Sequence, residues 1–167
     1  IYADLAAIEL VFSKLVTLIR GKLIACIEGK SVREIIHKST RPVITYSRNQ
    51  SDGADYVVGS IQAVPLGMKF EILKKSNSGY IRMDEIEIEL TGSHNALNAL
   101  AVWIQCDQLG IAHSKIKEGL RSFKGVKRRQ EILGEPGGRL LIEDFAHHPT
   151  AVRETLKGIH KKYPNKK

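Results

Sequence analysis

Three short stretches carry side chains whose types and spacing could do chemistry. Residues 143–151 read EDFAHHPTA, with two carboxylates and two adjacent imidazoles directly before a proline. Asp144 could hold a ribose hydroxyl or an ion-bound water, and the imidazoles could contact phosphate. An equal reading is a polar turn between a strand and a helix, the place where ligands bind in open α/β sheets. Zinc suits this stretch poorly, because adjacent histidines do not converge on one ion and no further Cys or HxxxH partner lies nearby. A Ser-His-Asp triad lacks its nucleophile elbow. Residues 92–101 read GSHNALNALA, placing Asn95 and Asn98 three apart on one side of a helix's first turn, beside His94. A carboxamide offers a donor and an acceptor and suits an adenine edge. The competing reading is helix capping by Ser93 or Asn95. Residues 125–131 read GVKRRQE, with Lys127, Arg128 and Arg129 in a row. Arginine is the natural bidentate phosphate ligand, but a cationic run can also be a solvated loop. A fourth stretch, GKS at 29–31, imitates the tail of a phosphate-binding loop. That loop needs a glycine where this chain has Ile24, so a structural turn is the better reading.

Such groups need elements to hold them. Residues 4–20 space Leu5, Ile8, Phe12, Leu15, Leu18 and Ile19 as a helix, with Asp4 as N-cap and Gly21 as its stop. Strand, helix and strand follow over 22–28, 29–39 and 41–47, the repeat of a parallel α/β sheet. They read as the end of a doubly wound domain. Partial two-residue alternation over 54–64, 67–75 and 82–92 predicts a small antiparallel meander appended to that sheet. A helix over 94–110 ends with Gly110 at C′, and a second runs over 114–123 with Ser114 as its cap. A hairpin across Gly134 and Gly138, a strand over 139–144 and a helix from about Thr150 to Tyr163 complete the chain. The boundary falls near 123–129, giving 1–123 as one domain and 124–167 as the start of another α/β domain.

The chain has 167 residues, of which 43% are hydrophobic and 26% charged, so disorder is excluded. No apolar run reaches the roughly 20 residues that cross a bilayer, and no membrane role is expected. The N-terminus has no basic region or cleavage pattern of a signal peptide. It also lacks an initiator Met, which suggests a piece of a longer chain. Cys26 and Cys106 read as reduced core thiols, and the expected setting is the cytoplasm. The net charge of +8 arises entirely from Lys115 onward, where 14 Lys and Arg stand against 6 Asp and Glu. That points to an anionic partner, although the terminal KKYPNKK also reads as a solvated helix end. Aromatics are 6% and are not interleaved with the cations, so a stacking platform for single-stranded nucleic acid is missing.

Taken in order, GSHNALNALA, FKGVKRRQE and DFAHHPTA resemble the Mur ligase family, the ATP-dependent amide-bond ligases of bacterial cell-wall precursors. IYADLAAIEL resembles the family's stretch just after a metal-binding histidine, so the likeness covers nearly the whole chain. The resemblance implies the C-terminal part of a P-loop-type central ATPase domain, then the first βα units of a Rossmann-like C-terminal domain. It implies ATP contacts by His94, Asn95, Asn98, Arg129, Asp144 and His147, and weaker substrate or nucleotide contacts by His148 and Arg128. ATP and Mg²⁺ are the implied cofactors. The P-loop and the Mg²⁺ ligands are expected upstream of Ile1, so the chain alone is expected to be inactive.

The implied reaction phosphorylates the lactyl carboxylate of UDP-N-acetylmuramate, and an amine then attacks the acyl phosphate. Positioning and charge neutralisation dominate such chemistry. The spelling DFAHHPTA, with Gln130 after the paired arginines, resembles the branch that adds the tripeptide L-Ala-γ-D-Glu-meso-diaminopimelate in peptidoglycan recycling. The branch that adds L-alanine is the alternative. A basic, non-catalytic α/β module that binds nucleic acid is the alternative of another class. It would need Lys127, Arg128 and Arg129 on a flat exposed stripe rather than in a cleft with Asp144 and Asn95.

Overall fold

The computed structural model describes residues 2–164, so the end of the KKYPNKK run, Asn165, Lys166 and Lys167, lies outside the described residues. Helix α1 (Leu5–Leu18) is followed by β1 (Leu23–Cys26), α2 (Lys30–Ile36) and β2 (Val43–Ser47). Three longer strands follow: β3 (Tyr56–Val64), β4 (Gly67–Ser76) and β5 (Gly79–Ile88). Then come α3 (Ser93–Gln108), α4 (His113–Ser122), β6 (Glu131–Gly134), β7 (Leu141–Glu143) and α5 (Pro149–Lys162).

The expected meander is present, but it does not form a separate sheet. β1 to β5 make one five-stranded mixed sheet in sequence order. β1, β2 and β3 run parallel, and β3, β4 and β5 antiparallel. The join is the short pairing of Tyr46 with Tyr56 and Ser47 with Val57. Asp55 fixes it by accepting from the Thr45 backbone and hydroxyl, each at 2.7 Å.

One face of the sheet presents Tyr56, Val58, Phe70, Ile72, Ile86 and Ile88 to Ala96, Leu100, Trp103 and Ile104 of α3 and Ile116 of α4. These positions alternate along the strands and recur at helical spacing on α3, so both periodicities bury the same seam. Each large apolar side chain contributes about 1.5–3 kcal/mol there. Ile27, Ala54 and Val57 form a smaller cluster.

Asp4 caps α1 as expected, accepting from the Ala7 backbone at 2.8 Å. The apolar stripe of that helix is nevertheless uncovered, with Leu5, Phe12, Leu15 and Leu18 all exposed. α1 rests on α2 by its other side, where Ser13 and Val16 are buried and Lys38 donates to the Ser13 hydroxyl. α4 starts at His113 with Ala112 as its uncapped N-cap, so Ser114 lies inside the helix. Cys26 and Cys106 are free and half-buried. The GKS turn is structural: Gly29 is the N-cap of α2 and Ser31 donates to Glu9. After the fold's main seam the chain makes the expected hairpin, β6 against β7, before entering α5.

Candidate functional site

A cleft of about 750 Å³ opens between the first turns of α3, the end of α4, the 124–130 loop and the turn from β7 into α5. Its floor is apolar, including Ile88, Leu90, Val102, Leu120 and Phe123. His94, Asn95, Asn98, Arg129, Asp144 and His148 line it together. The three stretches that stood out in the sequence, up to some 50 residues apart, therefore meet in space.

Two expected residues are not brought to the cleft. His147 turns back on its own loop, with Nδ1 3.0 Å from the Phe145 carbonyl and its ring on edge against Phe145. Adjacent residues of an extended turn point opposite ways, so only one of the paired histidines can face inward. Arg128 points to Glu143, with Nε 3.3 Å from Oε1.

The α3 wall is set by Gly92, whose φ of 92° is open to glycine and strained for other residues. Gly92 is the N-cap with no side-chain cap, so neither Ser93 nor Asn95 caps the helix. Asn95 instead donates Nδ2 to the Thr91 carbonyl at 2.7 Å. Ser93 accepts from Arg48 Nη1 at 2.8 Å, and Arg48 binds Glu28 through Nε and Nη2, also at 2.8 Å each. Burial opposes ionisation of Glu28, but the Arg48 bonds outweigh it and hold the carboxyl below its usual range. This clamp joins the C-terminal ends of β1 and β2 to the start of α3. Burial pushes the His94 imidazole below its usual value, against the pull of Glu154 and Asp144. It is therefore neutral at pH 7, and its Nδ1 is buried with no partner.

The opposite wall is built by the 124–130 loop. Arg128 and Gln130 both have left-handed backbone, at φ 60° and 53°, on either side of Arg129. Non-glycine residues held there store strain of about 1–3 kcal/mol, which surrounding bonds must offset. Asp144 does so, accepting from Gln130 N at 2.9 Å and Ala146 N at 2.8 Å. Phe145 N donates to the Arg128 carbonyl at 2.7 Å. Asp144 thus ties the basic loop to the α5 turn. Arg129 lies over the Phe145 ring, 5.7 Å from its centroid. His148 is the N-cap of α5 and accepts from Thr150 N at 3.3 Å.

Thr155 and Glu154 also line the cleft and were not singled out by motif. The signal was present in α5, where Ala151, Glu154, Thr155 and Gly158 fall at i, i+3, i+4 and i+7 and so share one face.

The family model described as "Mur ligase middle domain" matches residues 1–106. The chain belongs to the Mur ligase family. A UDP-N-acetylmuramate–L-alanine ligase of Desulfitobacterium hafniense (strain Y51) is 35% identical over 124 residues, covering 74% of this chain and 26% of that protein. The solved UDP-N-acetylmuramate–alanine ligase of Thermotoga maritima superposes with a TM-score of 0.79 at 25% identity, covering 98% of this chain and 35% of that one. A murein peptide ligase of Psychrobacter arcticus gives 0.68 at 28% identity, covering 99% and 34%. This Mur ligase chain spans about a quarter of the length of the curated relatives it matches. Membership in a ligase family displaces the nucleic-acid module. The geometry agrees, since Arg129 shares a cleft with Asp144 and Asn95 while Arg128 is tied to Glu143. Among the described residues no helix is long and apolar enough to cross a membrane.

Proposed function

We propose that the chain supplies one wall of the ATP site of a UDP-N-acetylmuramate ligase of cell-wall synthesis. The observation that carries this is the single cleft gathering His94, Asn95 and Asn98 from α3 with Arg129 from the loop and His148 from the α5 turn. Its volume and apolar floor suit a nucleotide, and its few polar groups converge as ligand sites require. In this reading the α3 wall receives the base and Arg129 receives phosphate. Asp144 acts by fixing the loop that presents Arg129. Residues 1–123 would then belong to a P-loop-type central domain and 124–167 would open a Rossmann-like domain, in a cytoplasmic enzyme. The strand order and the β7–α5 unit support that division.

Mg²⁺ is part of this proposal through the family. Among the described residues no three His, Cys, Asp or Glu gather to hold a metal ion, so this stretch is not assigned its ligands.

For the amine, the named sequence relatives support L-alanine over the tripeptide suggested by DFAHHPTA. The likeness to a murein peptide ligase keeps the tripeptide as the second reading. A full-length enzyme containing this chain, assayed with UDP-N-acetylmuramate, ATP and either amine, decides between them.

The nucleotide assignment is tested by calorimetric titration of the full-length enzyme containing this chain with ATP and with adenosine. Arg129→Ala is expected to weaken ATP binding by roughly tenfold or more, the worth of a charge-assisted bond, and to leave adenosine binding unchanged. Equal loss for both ligands removes the phosphate role.

A further inference from the structure

The packing that anchors α3 begins at Ala96, its first buried residue. Gly92, Ser93, His94 and Asn95 lie ahead of that anchor, yet His94 and Asn95 line the cleft. Gly92 offers no side-chain cap, and an uncapped first turn frays. Two bonds hold this turn from outside the helix. Asn95 Nδ2 donates one hydrogen to the Thr91 carbonyl, and Ser93 Oγ accepts from Arg48 Nη1 at 2.8 Å. The second bond reaches further, since Arg48 lies 45 residues earlier, just past the C-terminal end of β2.

Arg48 can hold Ser93 because Glu28 fixes the rest of it. Glu28, just past the end of β1, accepts from the Arg48 backbone N–H at 2.9 Å. The same carboxylate accepts from Nε and Nη2 at 2.8 Å each, a two-pronged fork. Exposed ion pairs usually contribute little, but this one adds a main-chain bond to bidentate geometry. Nη1 is the prong left over, and Ser93 takes it. Glu28, Arg48 and Ser93 do not line the cleft themselves. Arg48 nevertheless reaches two cleft residues by its charge. It adds to the burial that keeps His94 neutral and, after Lys157, helps to hold the Glu154 carboxyl below its usual range.

Building on the nucleotide reading above, we propose that Glu28, Arg48 and Ser93 are positioning residues that set the α3 wall for ATP. They touch no nucleotide. They pin the ends of β1 and β2 to the turn that presents His94, Asn95 and Asn98. Arg48→Lys supplies a point charge without a fork, so it cannot hold Glu28 and Ser93 together in this geometry. Ser93→Thr keeps the hydroxyl and therefore the bond. The wall faces the nucleotide away from the phosphoryl group that is transferred, so loosening it weakens ATP binding rather than the chemical step. The signature of that role is a raised KM for ATP with kcat little changed.

The test measures ATP-dependent ligation by the full-length enzyme containing this chain, as wild type, Arg48→Met, Arg48→Lys, Ser93→Ala and Ser93→Thr. Urea unfolding of each variant checks that the fold persists. Arg48→Met and Arg48→Lys are expected to raise KM for ATP about tenfold, the worth of a charge-assisted bond. Ser93→Ala leaves the Glu28–Arg48 pair intact and is expected to raise it about threefold, while Ser93→Thr restores the wild-type value. In each variant kcat should fall by less than about twofold. A KM within about twofold of wild type in both Arg48→Met and Ser93→Ala overturns the positioning role, and so does a fall in kcat that matches the rise in KM. Should Arg48→Met fail to fold, the contrast between Ser93→Ala and Ser93→Thr decides alone. A wild type that turns over without ATP overturns the nucleotide reading itself, whereas an ATP-dependent wild type with unaltered variants overturns only this inference.

Discussion

The two walls of the cleft are held by different physics. The α3 wall is anchored from beneath, with Ala96, Ala99, Leu100, Trp103 and Ile104 all buried against the five-stranded sheet. The α5 wall has little core of its own, and Ile132, Leu133, Leu141, Phe145 and Leu156 are exposed. It is held by polar stitches, chiefly those of Asp144, and by the Phe145-to-Arg128 backbone bond. Regions with few buried apolar contacts open at low free-energy cost. One wall is therefore a fixed template held by core packing, and the other, over the described 124–164 stretch, is a flap tied down by polar bonds.

Trp103→Ala strikes the fixed wall and carries the largest expected effect. The side chain is fully buried, packs near Tyr56 and His113, and donates Nε1 to Asp84 at 3.1 Å. Removing it leaves a cavity and takes one donor from Asp84, for a loss of about 3–5 kcal/mol. Urea unfolding should show the whole sheet and both walls destabilised. A loss below about 1 kcal/mol contradicts the anchoring described above.

Asp144→Ala breaks the flap without touching the template. Two backbone donors lose their acceptor, and the left-handed Gln130 loses its restraint, at a local cost of about 1–3 kcal/mol. Amide exchange across 124–162 is expected to speed up while the amides of α3 keep their protection. Equal loosening of α3 would show that the two walls form one cooperative unit.

Which of these features could be read from the sequence follows from how local their causes are. α3 and its partner strands were legible because apolar spacing and burial obey the same periods. The meeting of Asn95, Arg129 and Asp144 was reachable only through the likeness of three motifs to one family. The job of Asp144 was not legible, since its acceptors are filled by backbone groups of a loop 14 residues earlier in the chain. The α1 stripe illustrates a related limit: spacing identifies an apolar face but not what covers it. Glu154 was overlooked because a single carboxylate on a helix is ordinary until its neighbours across a cleft are known.

The finest distinction between the walls comes from Gly158, a buried residue of α5 beside the start of α3. A glycine inside a helix costs about 0.5–1 kcal/mol relative to alanine. Its presence inside a helix would suggest that the seam has no room for a methyl group. The geometry argues otherwise. A Cβ built at Gly158 lies 3.7 Å from Gln130 Nε2 and 3.9 Å from both Gly92 Cα and Thr91 Oγ1, which are ordinary contact distances. Gly158→Ala is therefore expected to stabilise α5 by about 0.5–1 kcal/mol and to slow amide exchange there, with α3 unchanged. If Gly158→Ala instead speeds exchange in α5, the seam is tighter than these distances indicate, and packing as well as the Asp144 bonds holds the α5 wall.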